Sequence, residues 1–142
     1  MKKYIIKEIY ADGYERFAVI TGINSDNQFT VHFMEYDEYI ENGRVPRKRK
    51  AGDALQGELF IDLVTIDKKM DKELLHRQAI QNSSHIEAVV QVDQVKDDFC
   101  LYAFSSIIDD KILVEFEHEV DCRPGDRVYI EGSLEMSLVE YS

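Results

Sequence analysis

The sequence predicts an all-β fold, and three observations predict it. Apolar and polar residues alternate with period two through most of the chain, as in "FTVHF" (Phe29–Phe33) and "ILVEF" (Ile112–Phe116). That alternation sends successive side chains to opposite faces of a strand. The alternating runs are rich in Val, Ile, Phe and Tyr, which suit a pleated, half-buried surface. Short turn signals separate the runs: "ADG" (Ala11–Gly13), "NSDN" (Asn24–Asn27), "KDD" (Lys96–Asp98) and "DD" (Asp109–Asp110), all of hairpin length. Crossover helices are missing between them, so the expected plan is antiparallel.

In chain order the expected strands are Lys3–Ile9, Arg16–Gly22, Gln28–Tyr36, Glu58–Ile66, Ile86–Val95, Phe99–Ser105, Lys111–Glu119, Arg127–Glu131 and Leu134–Glu140. One short helix is expected over Asp71–Gln81. Met70, Leu74, Leu75 and Gln78 would share one of its faces, with Asp71 as cap and "NSS" (Asn82–Ser84) as stop. A loop is the alternative for that stretch.

Parts of the first half recur in the second. Gly57 matches Gly132 at an offset of 75 residues, and Leu59, Ile61, Leu63 and Val64 then fall on Leu134, Met136, Leu138 and Val139. The Gly52-Asp53 pair matches Gly125-Asp126 at an offset of 73, and "SDNQFTVHF" (Ser25–Phe33) matches "IDDKILVEF" (Ile108–Phe116) at 83. These matches predict a tandem duplication of about 75 residues, with chance alignment of alternating β patterns as the rival reading. Gly52 and Gly125 sit where a turn takes positive φ, with Pro124 preparing the second turn. Gly57 and Gly132 interrupt strand patterns and are expected at bulges or barrel corners.

"PGDRVYIEGSLEM" (Pro124–Met136), following "ILVEFEHEV" (Ile112–Val120), resembles part of an OB-fold barrel or a related SH3-like barrel. The resemblance is best over Ile86–Glu140 and implies two small antiparallel barrels. The usual OB helix between the third and fourth strands is missing in both copies. The resulting plan is a first barrel-like copy over 1–70, a helix or linker over 71–84 and a second, acidic copy over 85–142.

The chain has 142 residues, 44% hydrophobic and 32% charged, with net charge −11. These are values of a globular protein, and the negative charge argues against a surface that attracts phosphate throughout. The charge is uneven. Residues 1–75 carry 12 basic and 14 acidic groups, residues 76–142 carry 5 and 14. No apolar run approaches the roughly 20 residues of a membrane helix, so no membrane partner is expected. The apolar run in "MKKYIIKEIYADG" is short and broken by Lys7 and Glu8, so no secretion is expected. A cytoplasmic, reducing location follows, with Cys100 and Cys122 as thiols and a disulfide between them possible but unneeded.

The falling offset places about ten extra residues of the first copy within Tyr36–Ala51, "YDEYIENGRVPRKRKA". Inserted loops often carry function. This one, 43–51, holds Arg44, Arg47, Lys48, Arg49 and Lys50, with Tyr36 and Tyr39 just before it. One reading is a basic finger beside stacking aromatics, able to meet single-stranded nucleic acid, an acidic protein surface or the acidic half of this chain or of a neighbouring copy. The other is a solvated loop neutralised by Asp37, Glu38 and Glu41. In the second copy, Glu115, Glu117 and Glu119 would share one strand face, a solvated row or an acidic strip for a basic partner.

Catalytic signatures are not found. There is no Gly-rich phosphate loop, HExxH or CxxC. His118, Cys122, Cys100 and His85 lack paired zinc spacing, and Cys100 in "FCLYAF" reads as core. His32 reads as a surface residue. The expected role is non-catalytic: a binding or adaptor protein for a protein partner, without cofactor. Single-stranded nucleic-acid binding through the basic loop, and acidic inhibition of a basic partner as by an immunity-type protein, are the alternatives. Exposed strand edges make a homodimer possible.

Overall fold

The computed structural model describes residues 2–23, 26–41 and 44–139. Asn24 and Ser25 of the first expected loop, Gly43 of the basic loop and Glu140 of the last expected strand lie outside the described residues. Among the described residues nine strands are formed: β1 (Lys2–Asp12), β2 (Glu15–Gly22), β3 (Gln28–Met34), β4 (Ala54–Lys69), β5 (Leu75–Arg77), β6 (His85–Asp97), β7 (Cys100–Phe104), β8 (Ile112–Phe116) and β9 (Arg127–Leu138). They hydrogen-bond in the order β1-β2-β3-β9-β4-β8-β7-β6-β5, with β1–β4 and β9–β6 as additional pairings.

This is one nine-stranded mixed sheet, not the tandem of antiparallel OB-like or SH3-like barrels that the sequence predicts. Two findings overturn that reading. The pairings β3–β9 and β4–β8 are parallel. No helix exists among the described residues. The expected helix over Asp71–Gln81 is instead a bend followed by β5, which pairs with β6 through Leu75↔Val89, His76↔Ala88 and Arg77↔Glu87. An eleven-residue helix is marginal in water, whereas β6 presents ladder groups to satisfy. The Arg77–Glu87 ion pair at 2.9 Å and the His76 Nδ1–Ser106 Oγ bond at 2.7 Å hold the short strand there.

The residues fall into two compact units. The first takes its described residues from Met1–Glu58, Ile80–Ser84 and Glu135–Ser142, the second from Leu59–Ala79 and His85–Leu134. Each unit uses part of β4 and part of β9. In the first, β1, β2 and β3 form an antiparallel meander, and the inward residues Ile6, Ala18, Ile20, Phe29, Val31 and Phe33 are buried. In the second, β6, β7 and β8 pair antiparallel and bury Ile86, Ala88, Leu101, Ala103, Ile112 and Val114.

The two Gly-Asp turns are built alike. Gly52 N–H donates to Ile6 O at 2.8 Å and Ile6 N–H to Asp53 O at 2.9 Å; Gly125 N–H donates to Val92 O at 2.8 Å and Val92 N–H to Asp126 O at 2.8 Å. Each aspartate carboxylate accepts an amide three residues upstream, from Lys50 and from Arg123. Both glycines have positive φ, 95° and 91°. Gly57 and Gly132, in contrast, are not corners. Each lies inside an unbroken strand, so the two strands expected on either side of Gly132 are the single β9. A Cβ on Gly132 would sit 2.6 Å from the Asp62 carbonyl oxygen, and one on Gly57 would strike the Ser137 carbonyl. These glycines are required by close backbone approach.

Candidate functional site

In the first unit the β1–β2 hairpin and the segment after β3 are stitched together. Gly13 and Ile40 exchange backbone hydrogen bonds at 2.7 and 3.0 Å, and Glu35 N–H donates to Tyr14 O at 2.8 Å. Beneath them lies the Arg16 guanidinium, 1% exposed. It donates to the carbonyls of Gly13, Glu15 and Glu38 and to the Glu38 carboxylate. A buried guanidinium is tolerated only when its donors are met, and here they are met by the two segments it joins. The second Glu38 oxygen accepts the Arg47 amide at 3.0 Å, so the basic loop is tied to the same point. Burial pushes the Glu38 carboxyl up, but the amides of Arg47 and Lys48 and the Arg16 guanidinium hold it below the usual carboxylate range.

Above this support stand three tyrosines. Tyr14 is in edge contact with Tyr39, ring centroids 5.1 Å apart, and tilted against Tyr36 at 6.2 Å. Tyr39 also lies over Gly13, whose missing Cβ would be 3.4 Å from the ring. The tyrosines are nonetheless open to solvent, with 43% of Tyr14, 76% of Tyr36 and 65% of Tyr39 exposed. A cluster of exposed aromatic rings has the composition of a binding hot spot.

The basic loop is largely neutralised from within the unit. Glu35 is buried, and its two oxygens accept from Arg49 Nε at 2.6 Å and Lys48 Nζ at 3.3 Å. Lys48 Nζ also reaches Asp37 at 3.0 Å, a contact that raises the lysine pKa and lowers the aspartate's. Arg44 is exposed and lies 4.0 Å from Glu41. Arg47 and Lys50 use their backbone amides on Glu38 and Asp53, and neither side chain has an ion-pair partner among the described residues.

In the second unit an open groove of about 680 Å3 is lined by Asp62, Lys96, Asp97, Asp98, Phe99, Cys100, Glu115, Phe116 and Glu117. Burial raises the Glu115 carboxyl above the usual carboxylate range, and the neighbouring Asp62 charge raises it further. Asp97 is held low by the amides of Phe99 and Cys100, at 2.9 and 3.0 Å. Phe99 is half exposed at the rim. Leu63, next to Asp62 at the β4 bulge, has φ 56° and is exposed. The structure therefore brings Glu115 and Glu117 to one groove and leaves Glu119 out of its lining. β8 ends at Phe116, so the three carboxylates do not share a strand face as the alternation predicts.

Several residues of these surfaces escaped the sequence reading. Tyr14 and Arg16 stand inside an ordinary hairpin pattern, and Glu35 reads as one more charge after a strand. His32, expected at the surface, has a mostly buried side chain: Nδ1 is 2.7 Å from Glu135 and Nε2 3.2 Å from Glu15. Both cysteines are free and buried. Burial pushes the Cys122 thiol up to about 11 and raises Cys100, so neither is a thiolate at neutral pH. Among the described residues no three His, Cys, Asp or Glu side chains gather so as to hold a metal ion. Among the described residues no helix is long and apolar enough to cross a membrane. No protein-family model matches the chain, and comparison with curated proteins and with solved structures returns no match.

Proposed function

We propose that this protein is a non-catalytic binding protein that recognises a protein partner through the Tyr14–Tyr36–Tyr39 surface of its first unit. The observation that carries the reading is the buried Arg16, which fixes the backbone beneath three exposed rings. Preorganised aromatics lose little side-chain entropy on binding, and large amphipathic rings at the centre of an interface carry much of its energy. The rim supplies Arg44, Arg47 and Lys50 for carboxylates on the partner.

Single-stranded nucleic acid is less well supported, because Lys48 and Arg49 share the carboxylates of Glu35 and Asp37 and leave too little net charge to follow a run of successive backbone phosphates, whatever a single anion finds there. Affinity for phosphate backbones comes from uncompensated cations. The acidic groove of the second unit favours a second reading, in which a basic side chain of a partner is received between Asp62 and Glu115 and relieves their repulsion.

The test is panning of a random peptide display library on the wild-type protein, with the Tyr36→Ala/Tyr39→Ala variant as counter-selection. Enriched peptides should bind wild type and lose about tenfold or more in affinity with each single substitution. Peptides that bind wild type and the double variant equally would sink the tyrosine reading. If those peptides were Arg- or Lys-rich and salt-sensitive, the acidic groove would take its place. A single-stranded oligonucleotide bound at low salt and released steeply as salt rises would instead favour nucleic acid.

A further inference from the structure

Beside the tyrosine surface, and still within the first unit, an open cleft of about 610 Å3 is lined by Lys3, Asp37, Lys48, Arg49, Ala54, Gln56 and Val139. Three of these groups are cationic and one is a carboxylate, on a chain whose net charge is −11. A local reversal of sign of this kind is not what solvation of an acidic surface requires.

The Arg49 guanidinium is held in place on two sides. Its Nε donates to buried Glu35 at 2.6 Å, and its central carbon lies 5.8 Å from the Phe33 ring centroid. Among the described residues its terminal nitrogens meet no acceptor, and Lys3 has no ion-pair partner. A guanidinium oriented from behind, with its fork left open, suits a bidentate oxyanion. Lys48 stands next to it, bonded to Glu35 and to the exposed Asp37. Asp37 is 66% exposed and Lys48 44% exposed, so their ion pair contributes little and yields to a stronger acceptor.

We infer that the cleft between Lys3, Lys48 and Arg49 binds a phosphate monoester, with the Asp37 carboxylate occupying the lysine until the anion displaces it. Glu35 is the positioning residue that aims Arg49. The group is a dianion with three acceptor oxygens near neutral pH, which matches one guanidinium fork and two ammonium groups better than a carboxylate does. The inference does not depend on the tyrosine surface, although a phosphorylated partner would engage both.

The experiment is a two-dimensional 1H–15N NMR titration of the full chain at constant ionic strength. The probes are inorganic phosphate, a phosphoserine pentapeptide and its unphosphorylated counterpart. Saturable shifts are expected at the amides of Lys3, Lys48, Arg49, Lys50, Ala54 and Gln56. Lys3→Gln should weaken phosphate binding about threefold, the scale of one exposed charge contact. Asp37→Asn should strengthen it by a similar factor, a gain that general loss of negative charge elsewhere, as in Glu41→Gln, should not reproduce. Both positions are exposed, so neither variant threatens folding, whereas Arg49→Gln would strand the buried Glu35. Tyr36→Ala should leave the phosphate titration unchanged, so failure of the tyrosine reading and failure of this one are distinguishable. Tighter binding of the phosphopeptide than of inorganic phosphate would assign the site to phosphorylated protein, and equal affinity would assign it to the free anion. Linear, non-saturating shifts, or Lys3→Gln and Asp37→Asn variants indistinguishable from wild type, would overturn the inference.

Discussion

Arg16 is the most consequential single residue of the molecule. It has no exposed surface to speak of, and it satisfies three carbonyls that would otherwise face a dry interior. Arg16→Met keeps the aliphatic stem and removes every donor. Chemical denaturation should show a loss of about 3 kcal/mol, and the exposed tyrosines should lose their fixed geometry in near-UV circular dichroism. His32 makes a different kind of contribution. The hydrogen bond that its Nδ1–H donates to the Glu135 carboxylate raises its pKa, with Glu15 adding to the effect and burial opposing it. A base whose folded pKa lies above its unfolded value stabilises the fold fully below the unfolded pKa, near 6.5, and that stability is lost as pH rises through the folded value. Thermal melts from about pH 6 to about pH 9 should therefore show a fall in stability that His32→Gln abolishes. Neither residue announces itself in the sequence. His32 stands between Val31 and Phe33 as any solvent-facing residue would, Arg16 follows Glu15 like one more charge at a strand start, and their partners Glu135 and Glu38 lie 103 and 22 positions away.

The strands were legible because their period-two pattern is local, and most of the expected runs overlap a strand. The errors come from forces that a local pattern does not contain. Leu74 and Leu75 suggest a helical face, but β6 offered backbone partners at that point and three residues took them. Gly132 looks like an interruption when only its own strand is considered. Its reason is the Asp62 carbonyl, which leaves no room for a side chain. The glycines can be separated by experiment. Gly132→Ala should cost about 3 kcal/mol in urea denaturation, because backbone must shift to relieve the overlap. Gly125→Ala meets nothing within 4 Å and carries only the strain of φ 91°, so about 1 kcal/mol is expected. Equal costs at the two positions would mean that close approach is not what holds Gly132.

At the scale of the whole molecule, the extra length read within Tyr36–Ala51 is what drew attention to Tyr36, Tyr39 and the basic run in the sequence. The balance of charge there was not visible. Counting residues gives five cations, but only the folded chain pairs Lys48 and Arg49 with Glu35 and leaves Arg49 an open fork. The acidic groove shows the same limit. Asp62 and Glu115 lie 53 positions apart and become neighbours through the parallel pairing of β4 with β8. Long-range parallel pairing is the part of this fold that alternation does not encode, because the same strand pattern serves either direction.

That β4 and β9 each serve both units has a consequence for biosynthesis. The ribosome releases β1, β2 and β3 before β9, yet β3 pairs in parallel with β9 at His32↔Glu135, 103 positions further on. Vectorial synthesis thus gives the amino-terminal meander no head start. Its apolar face must remain soluble as a nascent chain until β9 has been made, and only then can it close against that strand. Lys2, Lys3 and Lys7 place three positive charges along β1, a composition that disfavours edge-to-edge pairing while β9 is still unmade.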